Sequence, residues 1–153
     1  HPEIWSGFDL VSDVPVASTP IVVLISQKTG IPMISPRLHG KTHGLGEEIL
    51  GASKPGQRVG IIDDLRTTGG SKEEVIALYA RKGLMPVAVV ALVDRGSDEG
   101  APVGELPFFS VYWWSWLLGF YERGRIISRA LFEKAREYPV ALAAHLASCS
   151  GCG

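Results

Sequence analysis

The spacing of apolar and polar positions predicts several short elements along the chain. Val16 to Gln27 is mostly apolar and small, which predicts a helix that stops at Gly30. Ile31 to Ser35 and Arg58 to Ile62 are short apolar runs bounded by turn residues, as expected of strands. Pro86 to Val93 is apolar without interruption, which is typical of a strand buried on both faces of a parallel sheet.

A helical pattern separates the last two of these predicted strands. Ser71 to Lys82 places its apolar residues Val75, Ile76, Leu78 and Tyr79 on one side. The order strand–helix–strand predicts an α/β fold, with a doubly wound, mainly parallel sheet and flanking helices. Ligands of such folds bind at the C-terminal ends of the strands.

The last third of the chain has a mostly helical pattern. Helical periods run from about Val111 to Glu122 and from Ile126 to Glu137, Pro139 stops the second, and Val140 to Ala147 is a last apolar piece. We therefore expect a C-terminal helical segment over residues 105–153, within a single domain that spans residues 1–153. Since tryptophans bury large areas, the aromatic run from Phe108 to Trp116 is expected to pack in the core or in a dimer interface, with a stacking platform as the alternative.

Composition excludes some classes of partner. The formal net charge is −1 over 153 residues, so we expect neither nucleic acid nor an anionic membrane as a partner. The most hydrophobic stretch, Leu106 to Tyr121, is shorter than the about 20 apolar residues that a membrane span needs. No secretory signal pattern opens the chain, and we expect a cytoplasmic protein.

The two cysteines both lie in the tail, as Cys149-Ser-Gly-Cys152. Such sparse use fits a reducing compartment. Together with His145 they give three potential zinc ligands, one fewer than a structural zinc site uses. We expect two free thiols at a frayed terminus, with a redox or zinc role as the alternative.

The segment from Val59 to Ser71 carries the clearest chemical signal. Its apolar run ends at Asp63 and Asp64, and a Thr-Thr-Gly-Gly-Ser turn then leads into the predicted helix. Such a turn presents backbone N–H groups and the positive end of a helix dipole to an anion. Adjacent acids in an extended segment point to opposite sides, so one is expected to bind ribose hydroxyls and the other to orient the loop or hold water around a metal. The alternative, two acids that only cap a turn, is disfavoured by the adjoining anion cradle.

A second candidate site lies between Arg37 and Gly46. Two cations, Arg37 and Lys41, and two imidazoles, His39 and His43, are interleaved with glycines there. Cations suit a polyanion such as pyrophosphate, and the glycines allow a loop that closes over substrate and reopens. The alternatives are a solvated surface loop and a zinc site, and the glycines disfavour the helix that a zinc-binding histidine pair would need.

A third candidate is Arg95, which follows Asp94 at the end of the long apolar run. A strand-end arginine there would point into the crevice at the C-terminal edge of the sheet. Its guanidinium could bind a carboxylate or the carbonyls of a planar base. The alternative is a local ion pair between Asp94 and Arg95.

The three segments, in this order and at these spacings, resemble the orotate phosphoribosyltransferases, which are type I phosphoribosyltransferases. The resemblance runs from Pro15 to Gly124. Arg37 with Lys41-Thr-His43-Gly44 is similar to the family's mobile catalytic loop. Val59 to Ser71 is similar to its signature for phosphoribosyl pyrophosphate (PRPP), and Asp94-Arg95 to the strand-end arginine that holds orotate.

The resemblance implies transfer of a phosphoribosyl group from PRPP to orotate, which gives orotidine 5′-monophosphate and pyrophosphate in pyrimidine biosynthesis, with Mg²⁺ as cofactor. In that family the mobile loop, here residues 37–51, reaches the neighbouring subunit, which implies a homodimer with shared active sites. Two alternatives stay open. One is a phosphoribosyltransferase for another purine or pyrimidine base, and the other is a non-catalytic PRPP-binding relative.

The resemblance also implies residue roles. Arg37, Lys41 and His43 would bind pyrophosphate, with Lys41 or His43 protonating it as it leaves. Asp63 and Asp64 would act with them in catalysis, by holding the ribose and, through water and PRPP, the metal. The remaining implied contacts are with PRPP at Thr67, Thr68, Gly69, Gly70 and Ser71, and with the base at Thr67 and Arg95.

Some residues depart from the family pattern. Leu38 and Ser12 stand where the family usually has basic residues, which would cost affinity for pyrophosphate unless another cation replaces them. Arg66, inside the signature, is a candidate for restoring one charge. The family also has an N-terminal region with aromatic residues that contact the base, and the sequence shows no equivalent of it.

Overall fold

A six-stranded sheet forms the centre of the molecule, in the order β3-β2-β1-β4-β5-β6. The computed structural model describes residues 2–38, 47–67, 70–96 and 98–149. The strands are β1 (Leu10–Asp13), β2 (Met33–Pro36), β3 (Ile49–Leu50), β4 (Arg58–Arg66), β5 (Met85–Asp94) and β6 (Phe108–Trp113). The helices are a 3₁₀ helix (Pro2–Gly7), α1 (Thr19–Thr29), α2 (Gly70–Arg81), α3 (Trp114–Arg123) and α4 (Arg129–Cys149). Every strand pair is parallel except β2 with β3, which confirms the prediction of a mainly parallel sheet.

Two apolar clusters show that helices cover both faces of the sheet. Val22 of α1 packs in one cluster, with Val11 and Ile62. Val75, Leu78 and Tyr79 of α2 pack in the other, as their helical spacing predicts. The doubly wound arrangement is therefore confirmed, and it leaves the C-terminal ends of the strands open at one edge.

The first helix ends where the sequence predicts and begins later. Gly30 takes a left-handed conformation, at φ 75°, and its N–H donates to the Ser26 carbonyl, which ends α1. Residues 14–18 form a turn instead of helix. The Ser18 hydroxyl closes that turn, since it donates to the Val14 carbonyl at 2.7 Å and accepts the Val14 N–H at 3.0 Å.

Two features of the central strands differ from the sequence expectation. β1 was not predicted, because the polar residues Ser12 and Asp13 interrupt its short apolar run, although all four of its residues are buried. β4 continues four residues past the predicted end at Ile62, since β5 runs beside it and pairs Asp63 with Ala91 and Arg66 with Asp94.

The C-terminal part contains one strand more than its helical pattern predicts. Residues 111–113, expected in a helix, belong to β6, which pairs in parallel with β5 and occupies an edge of the sheet. α4 passes through Pro139 without ending there. It is held against α3, because the Trp114 indole N–H donates to the Ala135 carbonyl at 3.0 Å. Within the residues described, no helix is long and apolar enough to cross a membrane.

The aromatic run lies largely on the surface. Phe108 is buried, whereas Trp113 and Trp116 are about half exposed, so packing of these two tryptophans in the core is wrong. Tyr112, Trp116 and Phe120 stack in a row, with ring centroids 5.4 and 5.7 Å apart. Packing of this run in a dimer interface stays a prediction.

Candidate active site

A pocket of about 500 Å³ lies at the C-terminal ends of β1 and β4. We call it the acid pocket. Its walls are the loop of residues 14–17, the strand end at Asp63, Asp64 and Leu65, and the start of α2 at Gly70, Ser71 and Lys72. Because α2 begins at Gly70, the positive end of its dipole lies at this pocket, as an anion site requires.

The two adjacent acids have different surroundings. Asp63 is only 6% exposed, and its Oδ2 lies 2.5 Å from Lys72 Nζ. Its Oδ1 accepts the backbone N–H of Asp64 at 2.9 Å. Asp64 is half-buried, lines the pocket, and forms no ion pair with a residue that the structure describes. Asp64 is therefore the carboxylate available to a ligand, and Asp63 is the one whose orientation the protein fixes.

Lys72 was missed by the sequence reasoning. It is 3% exposed in the first turn of α2, and its Nζ donates to the Leu65 carbonyl at 2.9 Å as well as pairing with Asp63. Burial raises the pKa of Asp63 above its usual value of 3.8, and the Lys72 ammonium opposes this rise. A signal was available, since a lysine in a first helical turn is disfavoured by the helix dipole and so requires another reason.

A second pocket, of about 340 Å³, lies beside the first. We call it the Arg95 pocket. Its walls are Thr67, which directly follows β4, Arg95 and Gly96 after β5, residues 101–102, and Pro139, Leu142 and Ala143 of α4. Thr67 lines both pockets, which therefore adjoin at this residue.

Arg95 lies between two aromatic rings. Its guanidinium carbon is 4.7 Å from the centroid of Tyr138 and 5.7 Å from that of Trp114. Its Nε is buried, and it has no hydrogen-bond partner among the residues described. The alternative of a local ion pair with Asp94 is wrong, because Asp94 pairs with Arg66 instead.

Arg66 and Asp94 form a buried ion pair across β4 and β5. Arg66 Nε lies 2.7 Å from Asp94 Oδ1, and Nη2 lies 3.0 Å from Oδ2. The guanidinium also donates to the carbonyls of Ala101, at 2.6 Å, and Asp98. The expectation that Arg66 supplies a free cation for the anion site is therefore wrong, because its charge is already neutralised and its donors are used.

The same ion pair shapes the loop that carries Arg95. Asp94 accepts the backbone N–H groups of Gly96 at 2.9 Å and Gly100 at 2.8 Å. Together with the carbonyls of Asp98 and Ala101 that Arg66 binds, these bonds hold Gly96, Asp98, Gly100 and Ala101 against the ion pair. Arg95 is thus held at the strand end by a scaffold that the sequence does not reveal.

The chain is similar to known proteins in sequence and in structure. No family model matches the chain. Orotate phosphoribosyltransferase of Thermococcus gammatolerans is 35% identical over 94 residues, which cover 61% of this chain and 49% of that protein. The structure of Leishmania donovani UMP synthase superimposes with a TM-score of 0.79 at 30% identity, over 92% of this chain and 31% of that one. In sequence and in fold, the chain is similar to orotate phosphoribosyltransferases.

A further structure supports the type I phosphoribosyltransferase fold. Orotate phosphoribosyltransferase of Mycobacterium tuberculosis in complex with PRPP has a TM-score of 0.58 at 25% identity, over 69% of this chain and 63% of that one. The chain spans about half the length of the curated relatives it matches.

The loop that resembles the phosphoribosyltransferase catalytic loop is described only at its base. The Arg37 N–H donates to the Glu48 carbonyl at 2.9 Å, and β2 pairs antiparallel with β3, so a β-hairpin forms the base of this loop. Glu48 also pairs with Lys82 at 2.5 Å, which ties the loop's base to the end of α2. His39, Lys41 and His43 lie outside the described residues, as do Thr68, Gly69 and Cys152.

The two positions that depart from the family's basic pattern, Ser12 and Leu38, are buried and partly buried respectively. Ser12 is fully buried, and its hydroxyl lies 2.6 Å from that of Tyr79. Leu38 packs against the core. Arg66 does not replace the missing cations, because it is paired with Asp94. No group of three or more histidine, cysteine or acidic side chains that could hold a metal occurs in the described part of the chain.

Proposed function

We propose that this chain transfers the phosphoribosyl group from PRPP to orotate, giving orotidine 5′-monophosphate and pyrophosphate in pyrimidine biosynthesis. The observation that carries the proposal is the meeting of two pockets at Thr67. One pocket has a free carboxylate beside a helix N-terminus, and the other has an arginine without a carboxylate partner among the described residues. A sugar phosphate and an acidic planar base fit these two pockets respectively.

The acid pocket suits the ribose 5-phosphate part of PRPP. Asp64 would accept hydrogen bonds from the ribose hydroxyls, and Asp63, held by Lys72, would support the same face. The 5′-phosphate would lie on the turn from Thr67 to Ser71, at the N-terminus of α2. A ribose bound in this way would lie beside Thr67, which also lines the Arg95 pocket.

The Arg95 pocket suits orotate. Orotate is planar and carries a carboxylate and two carbonyls, which a guanidinium binds with directional hydrogen bonds. Arg95 lines this pocket, and no described residue forms a salt bridge with it, so its guanidinium is available to such a ligand. Binding both substrates against Thr67 would bring the base nitrogen and C1′ into line, which is a large part of catalysis for such a displacement.

The pyrophosphate end would be bound by the loop of residues 37–51, which we propose to be mobile. Departure of pyrophosphate leaves an oxocarbenium-like ribose, so stabilising the departing charge is the main chemical task. We assign that task to Arg37, Lys41 and His43, with Lys41 or His43 as the proton donor. The proposal includes a cytoplasmic homodimer, in which each loop serves the neighbouring subunit.

The donor set fits a Mg²⁺ ion that is held mainly by substrate. Mg²⁺ in phosphate-transfer sites is usually bound by one or two carboxylates, several waters and substrate oxygens. Asp64 offers one such carboxylate, and Asp63 is already engaged with Lys72. The two acids would therefore hold the ion through water and PRPP, where it would neutralise charge on the pyrophosphate.

A pyrophosphate-release assay with PRPP, Mg²⁺ and orotate tests the proposal. Turnover with orotate that Lys41→Ala abolishes is the expected result. Turnover with another purine or pyrimidine base would leave PRPP chemistry in place and overturn the choice of acceptor.

A second candidate is a PRPP-binding relative without catalytic activity. Two observations favour it: Ser12 is an uncharged residue bonded to Tyr79, and the charge of Arg66 is neutralised by Asp94, so neither supplies a free cation to a pyrophosphate. PRPP binding with no turnover for any base would support this candidate instead.

A further inference from the structure

One face of α4 borders the Arg95 pocket. Tyr138 and Leu142 are four residues apart, as are Pro139 and Ala143, so these side chains form one stripe along the helix. Pro139, Leu142 and Ala143 line the pocket, and Tyr138 lies against Arg95. The helix thus gives the pocket an apolar wall opposite a charged group.

Arg95 is held by rings and not by an acid. Of the residues described, none forms a salt bridge with Arg95, and its guanidinium lies within 6 Å of the centroids of both Tyr138 and Trp114. At these separations a guanidinium is attracted to an aromatic face. An arginine held this way keeps its hydrogen-bond donors free for a ligand, whereas a carboxylate partner would use them.

The two rings are themselves fixed relative to each other. Trp114 is the first residue of α3, and its indole N–H donates to Ala135 of α4. Ala135 lies one turn before Tyr138 in the same helix. Any shift of α4 would therefore move Tyr138, Trp114 and the guanidinium between them together.

We propose that α4 forms the specificity wall of the acceptor site and that Tyr138 is the residue that positions Arg95 for an acidic planar base. This inference rests on the proposed function. Tyr138 does not contact the reacting atoms. It sets the direction of the guanidinium, while the apolar stripe of α4 accepts the face of the base.

The test compares Tyr138→Ala with Tyr138→Phe in the full chain, using orotate and PRPP as substrates. Tyr138→Ala removes the ring and should raise KM for orotate about 3- to 30-fold, which is the range of one guanidinium–ring interaction. KM for PRPP should not change, because the acid pocket is untouched. Tyr138→Phe keeps the ring face and should restore KM for orotate to nearly the wild-type value.

Phe132→Ala is the matched control, since Phe132 is an aromatic residue of the same helix whose ring also lies against guanidinium groups, those of Arg129 and Arg136, and does not line the Arg95 pocket. It should leave both KM values unchanged. Unchanged KM for orotate in Tyr138→Ala, an equal rise in both KM values, or no restoration by Tyr138→Phe would each overturn the inference. Absence of orotate turnover in the wild-type chain would instead overturn the proposed function, and this inference with it.

Discussion

Replacement of Arg66 by methionine should be among the most destabilising single changes in this chain. The substitution keeps a long apolar side chain and removes a guanidinium that makes two contacts with Asp94 and binds the carbonyls of Ala101 and Asp98. Asp94 is fully buried, so its carboxylate would keep only the N–H groups of the following loop as partners.

The expected cost follows from the burial of both partners. Removing one member of a buried ion pair costs about 3–5 kcal/mol, because the other charge is left without compensation. A domain of this kind has a total free energy of unfolding of about 5–15 kcal/mol. The variant should therefore retain a fold with a much lower urea midpoint, or unfold at ordinary temperature.

Equilibrium urea unfolding at a fixed protein concentration measures this effect, with the slope m compared between variants. Arg58→Met is the matched control, since Arg58 begins the strand that Arg66 ends, and it pairs with Asp9 at the surface. That pair is nearly half exposed on both sides, so its loss should change stability little. If Arg66→Met costs no more than Arg58→Met, the buried pair does not hold the Arg95 loop as we infer.

Three further outcomes are expected. Lys72→Met should raise KM for PRPP about tenfold or more with little change in KM for orotate, because Asp63 loses the partner that orients it. Lys72→Arg should recover part of the affinity for PRPP. Equal effects on the KM values of both substrates would contradict this role of Lys72. Gly60→Ala should lower the free energy of unfolding, measured by urea titration, by about 1–3 kcal/mol, since a methyl group there would overlap the Phe8 ring. An unchanged urea midpoint would contradict that packing. The pKa of Asp63 is raised above 3.8 in the folded chain, so its stabilising contribution is present in full below pH 3.8 and is lost as pH rises through the raised value. Asp63→Asn should remove this part of the pH dependence of the urea midpoint. An identical pH profile of the variant and the wild-type chain would refute this.

Local patterns predicted the elements whose stabilisation is local. Gly30 ends α1 and the apolar positions of α2 face the core, because helix stops and helical spacing depend on neighbouring residues. β1 was not predictable in this way. The buried hydroxyl of its residue Ser12 is bonded to that of Tyr79, which is distant in sequence.

The residues of the candidate site also differ in whether the sequence alone could predict their positions. Asp64, Thr67 and Arg95 could be placed together from the sequence, because the C-terminal ends of parallel strands meet at one edge of the sheet. The partners of Arg66 and Lys72 could not, since a charged residue in a sequence does not show which distant acid will share its burial.

Thr67, which borders both pockets, has a consequence for the order and strength of ligand binding. Two ligands that share a wall cannot bind independently when the first one changes the position of that wall. Thermodynamic linkage then requires symmetry: the factor by which PRPP alters the affinity for the base must equal the factor by which the base alters the affinity for PRPP. Measuring that factor from both directions in the wild-type chain and in Thr67→Ala would show how much of the communication between the two substrates passes through a single side chain.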